Sequence, residues 1–486
     1  MPEQKVARYI GIDVATSKTG IGVRGVDGQE QYADHATEGA TTWHDQPAFD
    51  LGRVPGTILK VLQLLQADGW TFDKPGALSL SVRQHDMVLL DDAGQPLLPA
   101  LSWQCNAATD DVARLRKQRA EAIVGRIEER FILPKLMWAL RQEKELTKQV
   151  DQVLTTGDWI ALELTGKSRL STSDAVSNGL LVQKSKRLAE KVISKAGLKP
   201  KWFPKVIPSA KNVGTVVASE DAGGEWSSLR TLLKDWTVVS GLGDNHATGA
   251  GCGGLVDRRT IVVSAGTSGT VNRRCRPTDH LRGAAACFEF YDDRMLLMML
   301  ADCCKWYDRF KSLFAANETY AELNNLAGRV PVSKIARVVH LDGEEFYPQS
   351  WSHLTVGEKA AATQFSIMLE LLLLVSKMLD EVEDARKPIR RFVLTGGLSQ
   401  SEFLQRVFHA GVRMLVPECD VLVSARRDKL ANQTAAYGAL VNAMLPEHDN
   451  DLKAIAEELC PLKPCAQADG DAFTQLQDLL RKHRLA

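Results

Sequence analysis

The chain has 486 residues, of which 44% are hydrophobic and 25% charged, and its 60 Lys and Arg balance its 60 Asp and Glu. This length exceeds what one hydrophobic core supports, so we expect two domains. The balanced charge argues against a nucleic-acid partner bound through its phosphates. Nine irregularly spaced cysteines predict neither a zinc site nor a disulfide framework, and reduced thiols favour a cytoplasmic protein.

The N-terminal segment predicts a hairpin of buried strands. Residues 9–12 and 21–23 are short apolar runs, and residues 13–19 lie at the tip between them. The charged start of the chain does not resemble a secretion signal. The longest apolar run, residues 369–375, is far shorter than the roughly 20 residues of a membrane span. It indicates the buried stripe of a long helix over residues 356–382, so we expect no membrane partner.

Further along the chain the hairpin pattern occurs a second time. Strands are predicted over residues 77–82, 87–90 and 238–239, and helices over 107–119, 135–144 and 159–165, the last ended by Gly166. A second hairpin follows, with strands 260–264 and 269–273. Then come a strand over 392–394 and a helix over 399–415. One hairpin in each half suggests a duplicated architecture.

The tip of the first hairpin carries Asp13, Thr16, Ser17 and Lys18. A carboxylate that follows a buried strand can hold hydrated magnesium, which prefers oxygen ligands. The hydroxyls and turn amides can hold phosphate groups, as backbone nests do. The motif therefore predicts a metal and phosphate site, although a strand end with Asp, Thr and Ser is also typical of a simple turn cap.

The tip of the second hairpin carries Gly266, Thr267 and Ser268. Glycine allows a phosphate to approach the backbone closely, and the two hydroxyls can donate to it. An ordinary hairpin turn is the alternative. The position of this turn about twenty residues after Asp244 favours the phosphate interpretation.

A third segment, Gly243-Asp244-Asn245, places a carboxylate on a glycine-rich turn. We predict that Asp244 is a general base, which contributes about 10²–10⁴ in rate. It can also cap the helix that starts at Asn245, and the two roles are compatible. His246 is a rival base, but a histidine one turn into a helix more often serves packing or supports a neighbouring residue.

Together with Gly396-Gly397, these segments resemble the FGGY family of carbohydrate kinases over about residues 8–445. The resemblance implies an α/β fold of two actin-like ATPase (ribonuclease H-like) domains, with ATP and Mg²⁺ in the cleft between them. It implies an N-terminal domain over 1–243, a C-terminal domain over 244–445 and a tail over 446–486. In the family the first turn usually reads Asp-x-Gly-Thr. Here Ala15 replaces the glycine, and Lys18 could compensate with its charge.

The resemblance also assigns nucleotide and sugar contacts. Gly396 and Gly397 are similar to the adenosine-contact turn of the family. Residues 435–439 match its closing pattern, whose small side chains suit a helix close to the nucleotide or ordinary helix packing. The predicted sugar-binding residues are Arg83, His85, Asp86, Trp103, Gln104, Asp244 and Asn245.

The sugar-binding segment combines features of two subfamilies. His85 falls on a histidine of xylulokinase-like members, whereas Arg83 and Trp103-Gln104 are similar to glycerol kinases. An exposed ion pair between Arg83 and Asp86 is the alternative to a binding role. Polar groups beside an aromatic wall suit a small sugar or polyol.

The resemblance therefore implies an ATP-dependent kinase of a small ketose, with a pentulose first and a polyol next. Glycerol, erythritol, other ketoses and gluconate stay open. The alternative function is a non-catalytic nucleotide-binding protein of actin-like fold, or a regulatory relative that has lost activity. The expected partner is a small sugar or polyol, and a homodimer is the expectation for the family.

Overall fold

The computed structural model describes residues 5–183, 185–218, 223–253, 255–266, 268–335, 352–383, 388–425, 433–483 and 485. Its strands are β1 (Lys5–Val14), β2 (Lys18–Gly25), β3 (Glu30–Ala36), β4 (Ala40–Trp43), β5 (Gln46–Phe49), β6 (Trp70–Thr71), β7 (Ala77–Val82), β8 (Val88–Leu90), β9 (Ala100–Leu101), β10 (Gln152–Leu154), β11 (Leu170–Ser171), β12 (Val206–Ile207), β13 (Asn212–Thr215), β14 (Thr237–Gly243), β15 (Thr260–Ala265), β16 (Gly269–Cys275), β17 (Ala286–Phe290), β18 (Asp293–Leu300), β19 (Arg391–Thr395), β20 (Asp420–Ser424) and β21 (Leu462–Pro464). Its α-helices are α1 (Val54–Ala67), α2 (Thr109–Lys117), α3 (Glu121–Val124), α4 (Ile132–Gln142), α5 (Leu146–Gln149), α6 (Thr156–Thr165), α7 (Thr172–Ser177), α8 (Glu190–Lys195), α9 (Gly224–Leu232), α10 (Asp244–Gly251), α11 (Cys303–Phe314), α12 (Tyr320–Gly328), α13 (Val356–Glu381), α14 (Glu402–Leu415), α15 (Thr434–Met444), α16 (Leu452–Leu459) and α17 (Gly470–Lys482).

These elements form two compact units. The first comprises Met1–Gly251, Phe288–Asp292 and Gln433–Ile455, and the second comprises Cys252–Cys287, Asp293–Asn432 and Ala456–Ala486. This division differs from the predicted segments 1–243, 244–445 and 446–486. The reason is that α10 and α15 pack against each other and against strands of the first unit, so both helices belong to it.

The main sheet of the first unit has the strand order β13-β14-β7-β1-β2-β3. Strands β14, β7 and β1 are parallel, and β1-β2 is an antiparallel hairpin whose last pair is Val14 with Thr19. All six residues of β7 are buried, as expected for a central parallel strand covered on both faces. The carboxyl ends of β1, β7 and β14 therefore meet at one edge, where ligands of open α/β sheets bind.

Two hydrophobic cores support this sheet. The first joins the strands to α1 and includes Ile10, Ile58 and the fully buried Trp236. The second lies among the helices α2, α4 and α8 and the short strands β8 to β10. The sequence predicted β7 at the bounds observed, whereas α1 and the strands β3 to β5 were missed because their apolar positions are mixed with polar residues or are few.

Helix α15 touches α10 and β1 backbone to backbone. A Cβ atom at Gly438 would overlap the carbonyl oxygen of Ala247, and one at Gly11 would overlap the backbone of Leu440. Only glycine fits at such a contact. The small residues of the 435–439 segment therefore serve close packing between helices in the first unit.

The sheet of the second unit follows the order β18-β16-β15-β19-β20-β21. Strands β15, β19 and β20 are parallel, and β16, β18 and β21 are antiparallel to their neighbours. This is the pattern of β3-β2-β1-β7-β14-β13 in the first unit. The duplication predicted from the two hairpins is thus present in the connectivity of both sheets.

Helix α13 is the central helix of the second unit. Phe365, Leu372 and Val375 of α13 are fully buried in its hydrophobic core. By length and composition the helix could cross a membrane, but most of its apolar stretch is buried inside the protein. This matches the prediction of a buried helix over residues 356–382.

The segment predicted as a separate tail is built into the fold. Strand β21 pairs with β20, and α17 packs on α14 with Leu476 and Leu480 buried. Strand β21 was not predicted there. Its three residues carry no periodicity that distinguishes a strand from a loop.

Candidate active site

The edge of the first sheet brings three predicted residues to adjacent strand ends. Asp13 is the next-to-last residue of β1, Arg83 follows β7, and Asp244 follows β14. The register pairs Asp13 with Ser81 and Gly243 with Val82. Two carboxylates and a guanidinium thus lie side by side on neighbouring strands.

Asp244 is the first residue of α10 and is partly buried. Its Oδ1 accepts the backbone N–H of Asn245 at 2.8 Å. Burial raises the pKa of Asp244 to about 6, although the N–H groups of Asn245 and Gln84 oppose the shift. A carboxylate with a pKa near neutrality is suited to accept a proton.

Asp13 is held by a single hydrogen bond from the Ser81 hydroxyl, at 2.8 Å to Oδ1. Burial raises the pKa of Asp13 to about 7, and the negative charge of Asp244 adds to the shift. A cation beside Asp13 would relieve this cost. Among the described residues, no group of three or more His, Cys, Asp or Glu could hold a metal ion. Mg²⁺ is commonly bound by one or two carboxylates together with waters and substrate phosphates, and the carboxylate of Asp13 fits that role.

Arg83 and Asp86 form an ion pair, with Nε to Oδ2 at 2.5 Å. The predicted alternative had this pair exposed, but Arg83 is 3% exposed and Asp86 0%. Asp86 is turned inward because its Oδ1 also accepts the Trp103 backbone N–H at 2.9 Å. Asp86 therefore orients Arg83, and its own contact with the sugar stays a prediction.

The guanidinium of Arg83 is held in place, but one of its hydrogen-bond donors has no partner among the described residues. It lies over the Phe49 ring, 4.1 Å from the centroid, and its Nη1 donates to the carbonyl of Ala15 at 3.3 Å. Its Nη2 is buried and has no hydrogen-bond partner in the described structure. A buried donor without a partner is costly, so this atom is suited to bind an acceptor supplied by a ligand.

His85 does not join the strand-end residues. Its ring stacks on Phe131 at 4.8 Å, and Nδ1 donates to Asn178 Oδ1 at 3.1 Å. Burial lowers the pKa of His85 to about 3, so the ring is neutral. Its backbone has a φ of 73°, an uncommon conformation that turns the chain between Arg83 and Asp86.

The rival base His246 is fully buried. Its Nδ1 accepts a hydrogen bond from Gln84 Nε2 at 2.9 Å, and burial lowers its pKa to about 3. The Oε1 of Gln84 accepts from Asn245 Nδ2 at 2.8 Å. His246 therefore supports the helix start through Gln84, as expected for a packing histidine.

The first turn is closed by contacts within the first unit. Ala15 N–H donates to the Lys18 carbonyl at 3.1 Å, and Thr16 Oγ1 accepts from Trp103 Nε1 at 3.2 Å. Ala15 does not have a positive φ, so this backbone conformation does not require glycine. Lys18 Nζ lies 3.1 Å from Asp34 Oδ2 and forms an ion pair with it. The charge that was expected to compensate for the missing glycine at residue 15 is therefore already paired.

The remaining predicted residues of this unit are at the surface. Thr16, Ser17 and Gln104 are exposed, and Trp103 is 36% exposed. Trp103 therefore presents part of its ring as a wall next to the first turn. For Gln104 the structure records only a hydrogen bond from its backbone N–H to Ser102 Oγ at 3.2 Å.

The second turn is anchored at its start. The carbonyl of Gly266 accepts the N–H of Cys304 at 3.0 Å. A Cβ atom at Gly266 would make only ordinary contacts, and Ser268 is exposed. Thr267 lies outside the described residues. The packing of the protein therefore does not itself require glycine at residue 266.

The two glycines after β19 have different surroundings. Gly396 has a φ of 89°, and a Cβ there would overlap the backbone of Ala265. A Cβ at Gly397 would meet nothing within 4 Å. The positive φ and the close packing on Ala265 therefore require glycine at residue 396. Beside Gly397 there is free space that a nucleoside could occupy.

Sequence reasoning missed the residues that support the site. Gln84 links Asn245, His246 and Ser177, and Asn442 of α15 donates to Ser79 Oγ at 2.7 Å. Asp174 is buried near Asp86, Asp158 and Asp244, and its pKa is raised well above the usual value, first by burial. Gln84 could have been found from its place in the polar strand end, but Asn442 had no local signal.

The duplicated sheet with ligand-binding strand ends defines an actin-like ATPase fold. The model of the FGGY family of carbohydrate kinases, N-terminal domain, matches residues 8–251. The chain is 30% identical over 202 residues to the xylulose kinase of Lactococcus lactis, which covers 40% of this chain and 38% of that relative. It is 25% identical over 372 residues to the xylulose kinase of Streptomyces rubiginosus, covering 74% and 75%.

Among solved structures, the gluconate kinase of Lactobacillus acidophilus superposes with a TM-score of 0.80 at 18% identity, covering 99% of this chain and 97% of that one. The likeness extends the fold over both units. The chain belongs to the FGGY family of carbohydrate kinases, whose members are phosphotransferases that use ATP. The predicted family and fold class are therefore confirmed.

Proposed function

We propose that the chain phosphorylates a hydroxyl of a small ketose, a pentulose first, with ATP as the donor and Mg²⁺ as the metal. The observation that carries the proposal is the pair of carboxylates on β1 and at the start of α10. The pKa of Asp13 is raised to about 7 and that of Asp244 to about 6. Phosphoryl transfer to an alcohol needs one group that binds the cation and another that takes the proton.

Asp244 is the proposed general base. When bound, Mg·ATP supplies the phosphoryl group, and the acceptor oxygen bonds to the γ-phosphorus as the bond to ADP breaks. Asp244 takes the hydroxyl proton in this step. Its position at the start of α10 is fixed through Asn245 and Gln84, which holds the carboxylate toward the strand ends.

Asp13 is the proposed magnesium ligand, and Ser81 orients it. The turn amides with Thr16 and Ser17 are proposed to contact phosphate oxygens, with Lys18 if it leaves Asp34. In the second unit, Gly266 and Ser268 are the proposed phosphate contacts and Gly397 the nucleoside contact. The open space at Gly397 supports the nucleoside assignment, and the packing of the turn does not itself require glycine at residue 266.

Arg83 and Trp103 are the proposed sugar contacts, joined by Asp244 and Asn245. The unpartnered Nη2 of Arg83 is suited to an oxygen of the acceptor, and the Trp103 ring to its carbon face. The two xylulose kinase relatives support a pentulose. Arg83 equally suits a polyol such as glycerol, which is the second candidate. We expect the enzyme to act in the cytoplasm, where ATP is available.

The test is ADP release by the full chain with Mg·ATP against a panel of ketoses, polyols and aldonates. We expect a pentulose to stimulate ADP release most strongly. Strongest stimulation by glycerol or gluconate would replace the pentulose but keep the kinase. If ATP binds and no compound stimulates its turnover, the proposal is wrong and the non-catalytic alternative holds.

A further inference from the structure

The second unit contains a cavity of about 640 Å³ at the end of the β15-β16 hairpin away from its turn. Its lining includes residues before β15, at the end of β16 and just after α13. The charged lining residues are five arginines and four carboxylates, and Arg259, Arg273 and Arg276 are among the arginines. A volume of this size suits a small molecule, since ligand pockets span about 300–1,000 Å³.

One carboxylate of the wall is already neutralised. Asp293 is 1% exposed and pairs with both Arg258, through Nη2 to Oδ1 at 2.7 Å, and Arg274, through Nε to Oδ2 at 2.5 Å. Two further carboxylates are engaged by nearby groups of the chain. Asp257 accepts the Arg259 N–H at 2.8 Å, and Asp279 accepts the Arg276 N–H at 2.8 Å.

Three arginines of the wall, Arg259, Arg273 and Arg276, form no ion pair within the part of the chain that the structure describes. Arg273 is only 3% exposed, and burial lowers its pKa. Its Nη1 donates to the carbonyls of Met378 and Leu379 at 3.1 and 3.3 Å, so its hydrogen bonds go to neutral groups. Asp279 favours the charge of Arg273 electrostatically, but it forms no ion pair with it. The Nε atoms of Arg273 and Arg259 are buried without a hydrogen-bond partner.

A buried cation and buried donors without partners are costly, and an anion in the cavity would remove both costs. The guanidinium fork matches phosphate oxygens in a bidentate geometry. We propose that this cavity binds a small phosphate-bearing molecule through Arg259, Arg273 and Arg276. The carboxylates that share the wall could accept hydrogen bonds from hydroxyls of the same molecule.

This site is separate from the phosphate turn of the same hairpin. Strand β15 starts at Thr260 beside the cavity and ends at Ala265 before the turn. Six residues of extended chain span roughly 20 Å, so the two ends cannot share one phosphate. Arg273 of β16 also holds the carbonyl end of α13, and a bound anion would therefore stabilise this junction.

The test is thermal unfolding of the full chain in inorganic phosphate, compared with chloride and citrate at equal ionic strength. Saturating Mg·ADP is present throughout, so that phosphate does not report on nucleotide contacts. The variants are Arg259→Gln, Arg273→Gln and Arg276→Gln. The matched control is Arg329→Gln, an exposed arginine of the second unit that is not part of the lining.

We expect phosphate to raise the Tm of the wild type and of Arg329→Gln in a saturable manner. Loss of one charge-assisted contact should weaken the apparent phosphate affinity of Arg259→Gln and Arg276→Gln by about tenfold or more. If Arg273→Gln fails to fold, the two half-buried variants still decide the result. The proposal is wrong if phosphate stabilises no more than chloride, if citrate alone stabilises, or if the lining variants respond like the wild type.

Discussion

The two sheets share one connectivity but end their strands in different residues. In the first unit, β1 carries Asp13 near its end, and Arg83 and Asp244 follow β7 and β14. At the corresponding places the second unit has Ser264, Gly396 and Ala425, none of them charged. The fold thus fixes where ligands bind, and the residue at each strand end decides whether that place supplies charge or bare backbone.

The two hairpin turns repeat this contrast. In the first unit four residues lie between the last paired residues, Val14 and Thr19, and in the second three residues lie between Ala265 and Gly269. The longer turn is held by the side chains of Trp103 and Asp34, whereas the shorter one is anchored by its backbone, since the Gly266 carbonyl accepts the Cys304 N–H. If the comparison is correct, substitutions in the first unit should change chemistry and those in the second should change nucleotide affinity.

The largest effect is expected for Asp244→Asn. Loss of the general base should lower kcat by about 10²–10⁴ while sugar binding and Tm stay close to those of the wild type. The measurement is steady-state ADP release with the best acceptor, with Asp92→Asn at an exposed position as the control. A kcat near that of the wild type would remove Asp244 from the mechanism.

Asp13→Ala should come next. Removal of the proposed metal ligand should lower turnover by about a hundredfold and raise the Mg²⁺ concentration required, because the metal supplies several kcal/mol of charge stabilisation. A Mg²⁺ titration of initial rates measures both. An unchanged Mg²⁺ dependence would show that the metal is held elsewhere.

The pH dependence should show the raised pKa of Asp244. A base must be ionised, so kcat/KM should fall about tenfold per pH unit below about 6 and reach a plateau above it. An unperturbed aspartate would place this limb near pH 4. A rate profile between pH 4.5 and 8 distinguishes the two, and a kcat/KM that stays at its plateau down to about pH 5 contradicts the effect of burial described above.

The smallest effects are expected in the second unit, for Gly396→Ala and Gly397→Ala. The Cβ at residue 396 would meet the Ala265 backbone in a conformation with positive φ, so this variant should lose about 1 kcal/mol or more of stability. Gly397→Ala should fold normally and raise the KM for ATP a few-fold with little change in kcat. Unfolding curves measure the stability of both variants, and ATP titrations measure their KM for ATP. Equal changes in the two variants would contradict the different surroundings of the two glycines.

The sequence predicted the features that depend on neighbouring residues. The two hairpins, β7, α13 and the turn that carries Asp244 all have local signals of periodicity or glycine. The burial of the Arg83–Asp86 pair could not be predicted in this way, because it depends on Trp103 and on the unusual φ of His85. The role of Asn442 could not be predicted from neighbouring residues, because its hydrogen-bond partner Ser79 is 363 positions away.

The late return of the chain to the first unit has a consequence for synthesis on the ribosome. Helix α15 emerges only after the segment that forms most of the second unit. Until then the surface of β1 at Gly11 and the backbone of α10 are not covered by this helix. Domains that are complete at the N-terminus can fold while translation continues. Here the first unit reaches its native packing only when residues near the C-terminus have been made, so the folding of both units is completed at nearly the same time.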